Sequence, residues 1–283
     1  MLRSFVTILL SILFLGLAAQ AGKPPTTLPM YYGEDFYRSK DNLKDDTLRV
    51  ALNEILRGGH VSSPKGYDKI VHNCTAQNSC YQHSPVGYGQ ARKELFGNLH
   101  LQENGGDYAV TEVYCDFRIT SKQAEIGPGQ VPSANLINAE HTWPQSRFTN
   151  RYPKDVQKCD LHHLFPTDSQ MNSLRSSLRF GEVLNDVERL KCNLSKLGRS
   201  ESGEIVFEPP HHHKGNVARA IFYFATRYEM RISDSEEAFL RKWNQEDPVD
   251  EAEYLRNEEI FKIQKVRNPF IDFPELVEQV SNF

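Results

Sequence analysis

Glu140-His141-Thr142-Trp143-Pro144-Gln145-Ser146 is the stretch on which the fold turns, read with Asp160-Leu161-His162-His163-Leu164-Phe165-Pro166 and the later Asn172. Asn135 to His141 reads as a short strand that delivers a carboxylate and an imidazole side by side. A second short strand is expected over Asp160 to Phe165 and is ended by Pro166. Thr167 or Asp168 then caps a helix running to about Leu178. Strand, long loop, strand, helix is the order that brings Glu140, His141 and Asn172 to one place. Neighbours on a regular strand point to opposite faces, so Glu140 and His141 share a site only if the strand ends, twists or bulges there. Pro144, just beyond, fits an ending.

The residue types in this pattern suit phosphodiester hydrolysis. That reaction needs a base for water, a cation against developing phosphate charge, and a stabilised leaving oxygen. Imidazole titrates near neutrality and suits the first task. A carboxylate with an amide oxygen suits a hard cation such as Mg²⁺, which keeps most of its waters and needs only one or two protein ligands. Glu140 and Asn172 supply one of each. On the expected helix, Asn172, Arg175 and Arg179 fall at i, i+3 and i+7, one face on which two guanidinium groups could dock phosphate. The same spacing also fits a solvated helix face.

Further out, Leu43, Leu48, Ala51, Leu52 and Ile55 mark a helix within 34–57, ended by Gly58-Gly59. A short helix is expected over Ala91 to Leu99 and a strand over Val110 to Thr120. Val217 to Met230 is the clearest helix, with Val217, Ala220, Ile221, Phe224, Ala225 and Tyr228 on one apolar stripe. Two more helices follow, near Ser235 to Trp243 and Glu251 to Val266, separated by Asp247-Pro248. The expectation is an α+β fold, short strands surrounded by helices in a mostly helical single globular domain.

The first residues read as an export signal: Arg3, an apolar run from Phe5 to Leu17, and a small-x-small site at Ala19-Gln20-Ala21. Residues 1–21 are therefore expected to be removed, leaving a flexible leader over 22–30 and a protein that is secreted or periplasmic, without a membrane segment. Removal takes one positive charge from a net charge of −4, so the mature chain is more acidic still. That is not the global signature of a nucleic-acid binder. Between Glu140 and Phe180, however, six basic residues face four acidic ones, a locally basic site compatible with a polyanion. Of Cys74, Cys80, Cys115, Cys159 and Cys192, four can pair in an oxidising compartment and one must stay free or bridge to another chain. Cys74 with Cys80 is a plausible pair.

With these residues in view, the segment Glu140 to Ser146 resembles the signature of the endonuclease I family of secreted bacterial nucleases. Asp160 to Asp168, Asn172, Gly215 to Tyr228, Trp243-Asn244, Asp247-Pro248-Val249-Asp250 and Arg267-Asn268-Pro269-Phe270 resemble its later motifs in order. The resemblance covers roughly residues 110–273, and the part before about residue 105 matches less well. It implies a ββα-metal motif at the active site, within a catalytic region over 106–275 that follows a helical and loop-rich part over 22–105. It implies that His141 is the general base. Glu140 and Asn172 are implied to hold one divalent cation, usually Mg²⁺, with Mn²⁺ or Ca²⁺ as alternatives. The implied reaction is cleavage of DNA, and often RNA, with little sequence preference, leaving 5′-phosphate ends. It also implies an arginine at the phosphate, for which Arg147 and Arg151 are both open.

His162 and His163 lie in the expected second strand and so point to opposite faces; His162 is the one expected to back the site. His211-His212-His213, after Pro209-Pro210, reads as an exposed loop in preference to a zinc site. Trp143 and Trp243 read as core. Asn73-Cys74-Thr75 and Asn193-Leu194-Ser195 fit the glycosylation pattern. A monomer is expected. Two other functions compete: a phosphodiesterase acting on small non-nucleic substrates, and a nucleic-acid-binding protein without catalysis.

Overall fold

The structure, a computed structural model, describes residues 30–75 and 79–283. The signal expected at 1–21 and residues 22–29 of the leader lie outside the described residues. The helical stretch 34–57 divides into α1 (Glu34–Ser39) and α2 (Asp45–Arg57), the latter burying Leu48, Leu52, Ile55 and Leu56. Gly58 ends α2 because nothing larger fits: a Cβ there would lie 2.7 Å from the Glu54 carbonyl and 2.9 Å from that of Val71. A small antiparallel sheet follows, with β1 (Gly59–Val61) between β2 (Lys69–Val71) and β3 (Cys80–Tyr81). The Cys74–Cys80 disulfide closes its loop.

Helix α3 (Tyr88–Glu94) loosens into a π turn over Leu95–Leu99 and leads to an antiparallel meander, β4 (Leu101–Asn104), β5 (Asp107–Thr111) and β6 (Arg118–Thr120). The single strand expected over 110–120 is thus two strands and a loop. The loop is built around Glu112, a buried carboxylate that accepts from the backbone N–H groups of Tyr114, Cys115 and Phe117. Local side-chain acceptors of this kind compete with the sheet ladder and break the strand. A second disulfide, Cys115–Cys192, fastens the loop to the chain 77 residues further on, and Cys159 is left as a buried thiol.

The central hairpin pairs β7 (Ile137–His141) with β8 (Leu164–Asp168), in register from Ile137 opposite Asp168 to His141 opposite Leu164. Between them lies α4 (Lys154–Lys158), and after them α5 (Ser169–Arg175). Two expectations need correction here. Leu161–His163 is a 3-10 turn, not strand, capped by the Asp160 carboxylate. Pro166 does not end β8 but lies within it. The sheet has only two strands, so the missing N–H falls on an open edge, while the Pro166 carbonyl accepts from Val113 N–H at 2.9 Å.

The stretch after α5 forms a four-stranded sheet that the sequence did not announce: β9 (Arg179–Phe180), β10 (Asn185–Glu188), β11 (Lys196–Arg199) and β12 (Ile205–Glu208), ordered β10-β11-β12-β9 with β12 and β9 parallel. The C-terminal quarter is helical: α6 (Lys214–Arg227), α7 (Asp234–Glu246), α8 (Glu251–Gln264) and α9 (Pro269–Asp272). Apart from Asn216, every residue of α6 is buried. A helix buried all round is the axis on which a core is assembled. Phe222, Phe224, Trp143 and Trp243 belong to its main apolar cluster, together with Leu48 and Leu52 of α2. A second cluster under Phe96 and Val110 takes in Ile137, Ala139 and Leu164, so the β7–β8 hairpin is packed between the two. The result is a single domain of mixed α and β structure. No helix among the described residues is long and apolar enough to cross a membrane.

Candidate active site

An open cleft of about 510 Å³ lies over the end of β7 and the start of α5. Glu140, His141, Asn172, Asn138 and Tyr88 line it. Strand β7 ends at His141, which resolves the facing problem: the last two residues of the strand both reach the cleft. A larger hollow, of about 620 Å³, sits between α1 and β2, but Glu34, Asp35, Glu54 and Asp68 line it, a poor fit for an anionic substrate.

His141 is held in one tautomer. Its Nε2 lies 3.1 Å from the Lys158 carbonyl, which can only accept, so Nε2 carries the proton. Nδ1 is then the lone-pair nitrogen, and the Gln145 side-chain amide donates to it at 3.4 Å. Burial lowers the imidazole pKa to about 4, more than the bond to Lys158 raises it, so the ring is neutral at neutral pH. Its ring neighbour is His163, with centroids 5.4 Å apart. His163 in turn donates to the Gln157 carbonyl and packs on Phe224. The expectation that His162 backs the site is not what the geometry gives. His162 faces the other way, against Tyr223 and the Val266 carbonyl, because the 3-10 turn removes the strand alternation on which the expectation rested.

Glu140 is buried, and its Oε1 accepts from the Tyr114 hydroxyl at 2.8 Å and pairs with Arg175 at 2.9 Å. Burial raises its pKa, against the lowering effects of Arg175 and Tyr114. Among the described residues nothing donates to Oε2. Asn172 donates its amide to Asn138 Oδ1 at 2.5 Å, which turns its own Oδ1 away from that bond and leaves it without a donor among the described residues. One free carboxylate oxygen and one free amide oxygen on the same cleft wall are a donor set for a hard cation. No group of three or more His, Cys, Asp or Glu side chains among the described residues is arranged for a metal, so a cation here would keep much of its hydration. Asp168 caps α5 by accepting from Gln170 and Met171, and its own N–H is held by Glu112. The Glu112 loop therefore fixes both the helix carrying Asn172 and, through Tyr114, the Glu140 carboxylate.

The arginines are placed differently from the expected helix face. Helix α5 ends at Arg175, and Ser176 follows at φ 51°, so Arg179 falls on β9 instead. Arg175 is buried: beyond Glu140 it donates to the carbonyls of His141 and Thr142 and lies under the Phe180 ring. It ties α5 to the end of β7 and is not free for phosphate. Arg179 pairs with Glu204 and lies 3.8 Å from Glu236. Arg147 also pairs with Glu236 and stacks over Trp143. Arg151 lies outside the cleft, on a separate hollow with Asp46, Arg49 and Glu229. Sequence reasoning missed Tyr114, Asn138, Gln145 and the Lys158 carbonyl. Gln145 was within the quoted motif; the others carry no signal of their own. Trp143 and Trp243 are core. Of the three consecutive histidines, His211 and His212 are exposed, His212 pairs with Asp116, and His213 is buried.

A mixed α and β protein with an oriented imidazole beside a carboxylate and an amide oxygen is the class that this fold and cleft define. Residues 74–275 match the family described as Endonuclease I, and the chain belongs to it. It is 35% identical over 164 residues to an extracellular ribonuclease of Bacillus subtilis, covering 50% of this chain and 53% of that protein. It is 30% identical over 232 residues to an extracellular deoxyribonuclease of Aeromonas hydrophila, covering 75% of this chain and 93% of that protein. A periplasmic deoxyribonuclease of the same organism is 30% identical over 115 residues, 40% of this chain and 47% of that protein. The chain spans about half the length of the Bacillus relatives it matches.

Proposed function

We propose that this chain is an exported endonuclease that hydrolyses phosphodiester bonds of DNA, RNA or both with the help of one divalent cation, and leaves 5′-phosphate ends. The observation that carries the reading is the orientation of His141, with Nε2–H bonded to the Lys158 carbonyl and Nδ1 left as the acceptor, held only by a long 3.4 Å contact from the Gln145 amide, in the cleft that Glu140 and Asn172 also line. In this reading β7, β8 and α5 form a ββα-metal unit, the catalytic region is 106–275, and residues 22–105 support it. Neutral His141 takes a proton from water at Nδ1, and its ring is prevented from turning by the Lys158 carbonyl and the His163 ring. Glu140 and Asn172 would hold the cation, with Mg²⁺ the first choice. When bound it supplies charge neutralisation at the phosphate and at the leaving oxygen. Tyr114 and Arg175 hold Glu140 in place from behind. The relatives' names include both a ribonuclease and deoxyribonucleases, so the reading takes both nucleic acids as substrates. The disulfides and the relatives' extracellular and periplasmic names support export.

Nicking of supercoiled plasmid by the purified mature chain tests this, with Mg²⁺, with EDTA, and with His141→Ala. Expected are nicking by the wild type that EDTA abolishes and a loss of about 10²–10⁴-fold in the variant. A wild type inert with Mg²⁺, Mn²⁺ and Ca²⁺ on both DNA and RNA would sink the reading. Wild-type rates in His141→Ala would move the base elsewhere.

A further inference from the structure

The arginines near the cleft are already engaged: Arg175 by Glu140, and Arg147 and Arg179 by Glu236 and Glu204. A polyanion entering the cleft must find positive charge elsewhere. It lies just beyond the cleft lining, on α3 and α4, behind the Tyr88 ring that lines the cleft. Lys158, the last residue of α4, lies half-buried with its ammonium 4.1 Å from the centre of the Tyr88 ring. Among the described residues no carboxylate comes within ion-pair distance of it. Tyr88 opens α3, lines the cleft, and lies roughly parallel to the His141 ring with centroids 6.1 Å apart. One helical turn on, Arg92 shares its face. Arg92 spends one N–H on the Pro132 carbonyl and likewise has no carboxylate partner among the described residues. Two unpaired cations thus flank one aromatic ring beside the histidine.

We propose that Lys158 and Arg92 bind the backbone phosphates of the nucleic acid on the His141 side of the cleft, and that the Tyr88 ring positions the Lys158 ammonium for that contact. The inference rests on the nuclease reading and deepens it. A half-buried ammonium over an aromatic face is partly stripped of water and fixed in direction, so less entropy is lost when phosphate arrives. The same lysine then serves twice: its carbonyl orients His141 and its side chain anchors the substrate backbone on the Tyr88 side of the cleft. Substitution of the side chain leaves the carbonyl in place, so binding and base orientation can be separated.

Binding is measured by fluorescence anisotropy of a labelled DNA duplex in EDTA, using the His141→Ala chain so that no cleavage intervenes, over a range of salt. Lys158→Ala and Arg92→Ala are each expected to weaken binding about tenfold and to reduce the slope of log K against log salt by about one. Lys158→Arg is expected to restore both. Tyr88→Ala should weaken binding several-fold, while Tyr88→Phe, which keeps the π-face, should match Tyr88. In nicking assays of the otherwise wild-type chain, the alanine variants should raise KM about tenfold and change kcat little. Lys122→Ala, a cation paired with Asp107, should change neither. Unaltered affinity and salt slope in Lys158→Ala and Arg92→Ala overturn the proposal, as does a fall in kcat at constant KM. A chain that binds as described but never nicks leaves this inference standing and sinks the nuclease reading instead.

Discussion

His141 shows how a common residue is prepared for the role of base proposed for it. Burial keeps it neutral and the Lys158 carbonyl selects the tautomer, so Nδ1, on the side of the cleft-lining Gln145, is the nitrogen that can accept a proton. Glu140, His141 and Asn172, which line one cleft, were legible as candidates because their chemistry is in their side-chain identity. Their partners were not. Tyr114 reaches Glu140 across 26 residues and the Lys158 carbonyl reaches His141 across 17, and such contacts are decided by packing. Arg175 was legible as a cation near the site but not as a buried clamp, since only the structure shows that its guanidinium is spent on Glu140 and two carbonyls. Tyr114→Phe is expected to loosen Glu140 while leaving the core intact. The Mg²⁺ concentration for half-maximal nicking should rise about tenfold or more, with the thermal midpoint within a few degrees of wild type. An unchanged Mg²⁺ dependence would mean that the phenol plays no part in holding Glu140.

At the scale of elements, the helices announced themselves and the small sheets did not. α6 was readable because its stripe of apolar residues persists over several turns. β10 is exposed along its whole length and β9 has two residues, so neither offers a periodic signal. α5 ended one turn before the sequence implied, at Ser176. That residue sits at φ 51° and ψ −123°, a region costly for anything but glycine, on the rim of the cleft. Ser176→Gly should therefore stabilise the chain by about 1 kcal/mol and raise its thermal midpoint by a few degrees. A lower midpoint would show that the turn is not strained.

Across the whole molecule, polar groups are buried in numbers that make stability depend on pH. His60, His162, His163 and His213 are all buried with pKa values pushed down by burial, His213 to about 3. In the unfolded chain each takes up a proton near pH 6.5, while the folded core refuses it until well below. Their contribution is complete above about pH 6.5 and declines as pH falls toward the folded values, by about 1.4 kcal/mol per pH unit for each proton of difference. Buried Asp160 and Glu253, with raised pKa values, act in the opposite sense, and their share is largest at low pH. The histidines titrate first on acidification, so the guanidinium midpoint should be lower at pH 5 than at pH 7.5. An equal or higher midpoint at pH 5 would mean that the carboxylates prevail.

The burial of α6 bears on when the cleft is first supported. Phe148 and His163, whose rings neighbour that of His141, rest on Phe224, as does Trp143. The cleft is drawn from residues up to Ser177, but the surface it leans on arrives some fifty residues later in the chain. A polypeptide threaded through a membrane or a ribosomal tunnel from its N-terminus carries Glu140, His141 and Asn172 outside well before α6 follows. During that interval His141 has no floor beneath its ring, so under the proposed function the order of synthesis itself holds back cutting until α6 has emerged.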